Sequence, residues 1–236
     1  FETMISEIEK RVNDIESFAA DVAHELKNPL TSLRSASETF IQAKNKKDQR
    51  QMIEIMFKDI DRIDRLITDI SFSSRLDADL VRTKFENIDL FKLLENYISI
   101  RETKLKYKII HDQNETDIKL IGNSNKLVQV FDNLIDNSLS IIGKNCKINI
   151  KAFSKGKKIF ILFEDNGPGF PKNAINKIFD RFYTDRINQK EFGKHSGLGL
   201  SISKQIISAH NGDIFAENII NDHKKIIGAR VNIILN

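Results

Sequence analysis

The sequence predicts two folds in series: an α-helical hairpin that pairs with a second copy into a four-helix bundle, then an α/β sandwich of the α+β kind. Three observations lead there. Apolar residues recur in heptad register from Ile5 to Ala43. A second stripe stepping by three and four runs from Ile53 to Ile70. Beyond Lys84, short strand-like runs alternate with helical stretches.

With Ile5 at heptad position a, the a series continues through Val12, Ala19, Leu26, Leu33 and Phe40. Ile8, Ile15, Val22, Pro29, Ala36 and Ala43 then fall at d. Residues 3–43 read as one long helix, ended by a polar turn over Asn45 to Gln49. The stripe of Ile53, Met56, Ile60, Ile63, Ile67 and Ile70 makes a second helix antiparallel to the first. That stripe is too long and too apolar for one partner to bury, which predicts a homodimer. Ser71 to Thr83 loses the period and opens Ser-rich, so a linker is placed there. The resulting division is 1–74 for the hairpin, 75–83 for the linker and 84–236 for the second module. In that module, strand-like runs (Phe85 to Ile88, Tyr107 to His111, Ile118 to Ile121) alternate with helical ones (Leu90 to Lys104, Lys126 to Ile142). Lys147 to Ser154 and Lys158 to Glu164 flank Lys155-Gly156-Lys157 as a β-hairpin. A helix over Gly197 to His210 and strands at Asp213 to Glu217 and Ala229 to Leu235 complete it.

Composition narrows the function. A chain of 236 residues with 40% apolar content can bury real cores. Its 37 basic and 33 acidic residues are interspersed, and Lys44 to Lys47 is the one local basic cluster, a solvated loop. No nucleic-acid partner is expected. The single Cys146 excludes an internal disulfide framework and offers no metal cluster. No apolar run approaches the about 18 residues that a membrane span needs. The heptad is already running at Ile5, which reads as a fragment whose first helix continues upstream.

Periodicity alone would describe a structural coiled coil, and the stretch Phe18 to Leu33 goes beyond it. His24 falls at f, facing solvent. Glu25 follows directly, where a carboxylate can fix the imidazole tautomer and make the other ring nitrogen a better nucleophile. Pro29 breaks the local hydrogen-bond ladder, a cost that a merely structural helix has no reason to carry. Downstream, Asn133 and Asn137 lie four apart and share a helix face. Their amide oxygens could ligate a hard cation without adding negative charge beside a triphosphate. Asp165-Asn-Gly167-Pro-Gly169-Phe170 follows a strand, and Ser196-Gly197-Leu198-Gly199-Leu200 opens a helix, whose N-terminal N–H groups favour anions.

His24-Glu25-Leu26-Lys27-Asn28-Pro29-Leu30 resembles the phosphoacceptor motif of sensor histidine kinases. The asparagine pair and the two glycine-rich turns, in this order, resemble the GHKL-type ATP-binding module, a Bergerat-type α/β sandwich. Ile178 to Tyr183 is similar to the aromatic motif at the start of that module's lid, which would run from Lys172 to His195. The resemblance implies ATP and Mg²⁺ as cofactors. Asp165 would take the adenine amino group, Asn137 and Asn133 the metal, and Ser196 to Leu200, with Gly167 and Gly169, the nucleotide. His24 would be the acceptor, Glu25 its partner and Asn28 the residue positioning water for regulator dephosphorylation. Hydrolysing relatives carry glutamate where Asn133 stands, so a transferase is favoured.

The implied protein is an autophosphorylating homodimer that passes phosphate to a response-regulator receiver domain. It would work at the cytoplasmic face of a bacterial inner membrane, attached through a segment missing from this fragment. There are three departures from the family pattern: Ser140 for the usual lysine, Lys194-His195 where glycines are common, and Thr184 for a frequent arginine. Lys144, Arg181, Arg186, Lys190 or Lys194 are the basic residues that could compensate. The alternative is a catalytically weak nucleotide-binding scaffold that signals by docking.

Overall fold

A computed structural model describes residues 2–82, 84–105, 109–112, 117–171, 174–183 and 197–236. The chain forms two compact units, Phe1–Arg75 with Arg181–Leu198, and Leu76–Asp180 with Gly199–Asn236.

The first unit is built on helix α1 (Glu2–Gln42) and on helix α2 (Lys46–Arg82) up to Arg75. The turn between them is shorter than the polar cluster suggests because Asn45 caps α2. Its Oδ1 accepts from the Asp48 N–H at 2.8 Å, and its amide donates to the Asp48 carboxylate at 2.6 Å. Lys46 to Gln49 are therefore helical. The second helix also runs on through the predicted linker at 75–83 as far as Arg82. Ser71 to Arg82 has lost the apolar stripe but contains no glycine or proline, so nothing in it stops a helix. Inside the hairpin, Pro29, Ala36 and Leu66 are buried, and α1 passes through Pro29 as continuous helix. Ile5, Ile8, Val12 and Ile15, all at a or d, stay exposed, as do Ile53, Ile60 and Ile67. A polar tie across the hairpin is made by Arg62, 8% exposed, whose Nη2 donates to Glu25 Oε2 at 2.9 Å. A guanidinium so enclosed needs an anion, and Glu25 supplies it.

The second unit is a two-layer α/β sandwich, as the sequence predicts. Strands β2 (Ile109–Asp112), β4 (Ile148–Lys155), β5 (Lys158–Asp165), β6 (Asp213–Ile220) and β7 (Ile226–Leu235) form one sheet in the order β2-β4-β5-β7-β6. All its pairings are antiparallel except β2 with β4. A separate pair joins β1 (Glu86–Asp89) to β3 (Lys119–Gly122). Helices α3 (Leu90–Leu105), α4 (Ser124–Ile142) and α5 (Gly199–Ala209) cover the sheet, and Gly143–Asn145 adds a 3₁₀ turn after α4. The two-residue loop Gly156-Lys157 turns β4 into β5, with Gly156 at φ 66° where a tight hairpin favours glycine. Alternate residues of the three central strands are buried, among them Ile150, Ile161, Phe163, Val231 and Ile233. They meet an apolar stripe on α4, where Phe131 lies 5.4 Å from the Phe163 ring centre.

The N-terminal end of α4 is fixed by polar groups. Asn123 caps it, accepting from the Lys126 N–H at 2.9 Å. The Asn123 N–H in turn donates to Nε2 of buried His210, at 3.0 Å, while His210 Nδ1 meets the Ile206 carbonyl at 2.8 Å. Those partners require a neutral ring protonated on Nδ1. Burial holds its pKa below the ordinary 6.5, a shift only partly opposed by the bond to Ile206.

Two predictions follow from these polar ties. The unfolded chain takes up the His210 proton before the folded one does. The stability this residue contributes is therefore full above pH 6.5 and is lost as pH falls through the lowered folded value. In urea unfolding, the parent should lose more stability than His210→Gln between neutral pH and about pH 5; equal losses would remove the linkage. For the hairpin, a double-mutant cycle of Arg62→Met and Glu25→Gln should give a coupling of about 1–2 kcal/mol in thermal unfolding. Strict additivity would show that the pair contributes nothing.

Candidate functional site

His24 lies on α1 with its side chain 66% exposed, as its f position requires. Its Nδ1 is 3.9 Å from Glu25 Oε1, close enough for charge interaction and too long for a hydrogen bond. Glu25 is held from the other side by Arg62, which keeps one carboxylate oxygen and leaves the other toward the imidazole. No sequence signal pointed to Arg62, which belongs to the other helix. Asn28 is exposed one turn after His24. Between them, the Glu25 carbonyl has lost its usual helical donor, because residue 29 is proline.

In the second unit, three elements converge on Asp165 at the end of β5. Its Oδ1 accepts from the N–H groups of Gly167 (2.8 Å) and Ala229 (3.3 Å), and its Oδ2 accepts from the Ser138 hydroxyl (2.7 Å). The turn after it is fixed in the same manner. Asn166 accepts from the Lys147 N–H and donates to the Asn145 carbonyl. Asn218 on β6 makes a two-way amide bond with the backbone of Phe170, at 2.6 and 2.8 Å. The glycines serve this packing as well as any ligand. Gly169 has φ 78°, and a Cβ there would lie 2.5 Å from Ile226 Cγ2; one on Gly167 would lie 2.9 Å from Asp165 Oδ1. Gly228, outside every motif, is the tightest: a Cβ would sit 2.1 Å from the Asp165 carbonyl oxygen. Cys146 nearby is buried, and burial, with the Asp165 charge, pushes its thiol up to about 11.

On α4, Asn133 Nδ2 donates to the Gly199 carbonyl (2.9 Å) and to Ser203 Oγ (3.2 Å). With both amide hydrogens engaged by the protein, its carbonyl oxygen is the end left to meet a ligand. Asn137 lies one turn on, half-buried, and its backbone carbonyl accepts from Ser140 Oγ at 2.7 Å. Ser140 is thus turned back onto its own helix, and the position of the usual family lysine carries no charge. The opposite flank of α4 is tied to α3. Tyr97 donates to Asp132 at 2.9 Å, and Arg101 pairs with Asp132 and Asp136. Gly199 and Leu200 open α5. A Cβ on Gly199 would make only ordinary contacts with Asn133 at 3.6 Å, so packing does not demand glycine there. Space beside a helix N-terminus suits a phosphate. Gly197 has φ 74° with the Phe182 backbone 2.7 Å from its would-be Cβ, and Leu198 is fully buried. Ile178 and Phe179 are buried, so the aromatic motif packs. Ser196 and most of the expected lid, residues 172–173 and 184–195, lie outside the described residues, as do Arg186, Lys190 and Lys194.

The structure thus brings Asn133, Asn137, Asp165, Gly167, Gly169, Gly199 and Leu200 into one unit, while His24, Glu25 and Asn28 belong to the helical one. The donor set fits a magnesium nucleotide: the neutral amide of Asn133 beside the N-terminus of α5, the amide of Asn137 one turn on, and a carboxylate held by three donors.

Residues 122–235 match the family model "Histidine kinase-, DNA gyrase B-, and HSP90-like ATPase", and residues 14–79 match "His Kinase A (phospho-acceptor) domain". The chain is 42% identical over 242 residues to sensor protein ChvG of Agrobacterium fabrum, covering 98% of this chain and 41% of that protein. It is 33% identical over 208 residues to sensor protein kinase WalK of Staphylococcus aureus, covering 86% of this chain and 50% of that one. It therefore spans half or less of the length of these curated relatives. Among solved structures, the catalytic domain of histidine kinase ThkA matches with TM-score 0.54 at 25% identity, over 65% of this chain and 95% of that chain. ThkA in complex with response regulator protein TrrA matches with TM-score 0.71 at 22% identity, over 96% of this chain and 63% of that one, a likeness of fold. With a phosphoacceptor domain on the hairpin that carries His24 and an ATPase domain on the sandwich that carries Asp165, the chain belongs to the sensor histidine kinases of two-component systems.

Proposed function

We propose that this chain transfers the γ-phosphoryl group of ATP to His24 and passes it to an aspartate of a response-regulator receiver domain. The observation that carries the reading is Asn133. A neutral amide tied by both hydrogens to α5 stands where a water-activating carboxylate would make a hydrolase. Asp165 would receive the adenine amino group, and the N-terminus of α5 at Gly199, with Gly197 and Leu198, the phosphates. Mg²⁺, when bound, would neutralise phosphate charge, with the oxygens of Asn137 and Asn133 as its protein ligands.

In the transfer, the His24 Nε2 lone pair attacks the γ-phosphorus, the P–N bond forms, and the bond to the ADP oxygen breaks with its electron pair. The imidazolium so formed gives up its Nδ1 proton toward Glu25, which Arg62 keeps in place. The exposed a and d residues of the hairpin support a homodimer, whose four-helix bundle would cover Ile5, Ile8, Val12 and Ile15. The same reading puts both domains at the cytoplasmic face of a bacterial inner membrane, attached through sequence outside this chain. Among the described helices, none is long and apolar enough to cross a membrane.

Incubation with γ-labelled ATP tests the reading. The parent should acquire acid-labile, alkali-stable label; His24→Gln should acquire none and bind ATP with unchanged affinity. Asn137→Ala should weaken ATP binding only when Mg²⁺ is present. Label that survives acid, or survives loss of His24, would overturn the assignment.

Asn28 yields a second test. An exposed amide one turn from the phosphorylated position can hold a water for in-line attack on a phospho-aspartate without competing as a nucleophile. Asn28→Ala should keep His24 labelling and forward transfer while slowing removal of phosphate from the purified phospho-regulator in the presence of ADP. Equal rates of removal would return Asn28 to the surface.

A further inference from the structure

Ser138 follows the metal-site asparagine on α4, and no motif or family role accounts for it. Its hydroxyl donates to Asp165 Oδ2 at 2.7 Å, while Oδ1 of the same carboxylate is taken by the N–H groups of Gly167 at 2.8 Å and Ala229 at 3.3 Å. The carboxylate is therefore fixed by three donors from three elements: α4, the glycine turn and β7. Hydrogen-bond capacity then decides what remains. An ionised carboxylate offers about four lone-pair sites. Two on Oδ1 are spent on backbone, one on Oδ2 is spent on Ser138, and one on Oδ2 remains. Ser138 has spent its only hydrogen on Asp165 and keeps lone pairs alone. The pair therefore presents acceptors and no donor.

We infer that Ser138 is a specificity-determining residue for the nucleotide base: its hydroxyl, turned onto Asp165, makes an acceptor-only edge that takes a 6-amino purine and refuses a 6-oxo purine. The inference rests on the reading of Asp165 as the base-recognising carboxylate and deepens it. An exocyclic amine carries two hydrogens and can meet both acceptors. A 6-oxo group brings lone pairs to the same place. Facing acceptors alone, it finds no donor there while the Ser138 hydroxyl stays on Asp165. Sites built around such pairing discriminate strongly, because the mismatched ligand leaves polar groups unpaired. Packing alone gives no reason for this hydroxyl. Asp165 already has two backbone donors without it, and a small apolar residue would fill the same space.

The test is the ratio of dissociation constants for ATP and ITP, which differ at the purine 6-position and N1. It is measured by calorimetry with Mg²⁺ on the parent, Ser138→Ala and Ser138→Thr. The parent should prefer ATP. Ser138→Ala should bind ATP about five- to tenfold more weakly, as expected for loss of one hydrogen bond to a charged group. Its ITP affinity should stay within about twofold, so that the ratio falls. Ser138→Thr, which keeps the hydroxyl, should restore the ratio, and it decides the matter if the alanine variant does not fold. Equal losses for the two nucleotides would make Ser138 a structural residue and overturn the inference. A ratio that rises in Ser138→Ala would show that the hydroxyl donates to the 6-oxo group and would also overturn it. A parent that binds ATP and ITP alike overturns the specificity claim alone; a parent that binds neither overturns the ATP reading beneath it.

Discussion

The second unit depends on one constraint: a partly buried carboxylate at the end of a central strand has to be given donors by the chain around it. Asp165 receives them from the Gly167 N–H, the Ala229 N–H and the Ser138 hydroxyl. Each donor sets a condition on its own element. The turn has to fold back within two residues, which needs glycine at 167 and again at 169, where φ is positive. Strand β7 has to approach so closely that position 228 has no room for a side chain against the Asp165 carbonyl. Helix α4 has to present its last turn to the strand end. Leaving the carboxylate unpaired would cost about 1–3 kcal/mol, or more because it is charged, so these local choices are coupled.

Helix α4 turns that constraint into a site. Its apolar face, with Leu127, Val130, Phe131, Leu134 and Ile135, packs on the sheet, and several polar groups on its other sides are bonded to the rest of the protein. His210 holds the N-terminal end through Asn123, Asn133 is bonded to α5, Ser138 to Asp165, and Asp132 and Asp136 to α3. A helix held at so many points cannot slide or rotate without breaking several bonds at once. In the proposed site the atoms available to a ligand include the Asn133 oxygen, the Asn137 side chain and one lone pair of Asp165. Preorganisation here is a matter of subtraction.

The hairpin solves a different problem with the same means. Under the proposed function a phosphoacceptor has to be reachable by a nucleotide and by a receiver domain; His24 is exposed, and an exposed imidazole is poorly oriented. Orientation is moved to its neighbour: Glu25 is fixed by nearly buried Arg62 and leaves one oxygen toward Nδ1. At 3.9 Å the carboxylate does not yet hold the ring by a hydrogen bond. In the proposed transfer it stands where it can take the Nδ1 proton of the ring. Pro29 adds a freed carbonyl, that of Glu25, in the same turn.

These two arrangements explain what was legible in the sequence. The strands, the Gly156 turn, the apolar face of α4 and the heptads of α1 were readable because side-chain period and turn chemistry are local. The motifs around His24, Asn133, Asn137 and Asp165 stand out too, since the chemistry proposed for them accepts few residue types and leaves fixed spacings. The end of α2 was not readable. Ser71 to Arg82 sheds its apolar stripe, and the absence of helix breakers speaks more weakly than a lost period. Arg62, Ser138, Asn218 and Gly228 were invisible for another reason. Their partners lie 37, 27, 48 and 63 positions away along the chain for Glu25, Asp165, Phe170 and Asp165 respectively. A residue chosen for what it meets across the fold carries no mark in its own neighbourhood. The groups that would touch substrate were therefore written in motifs, whereas the groups that aim them had to wait for the structure.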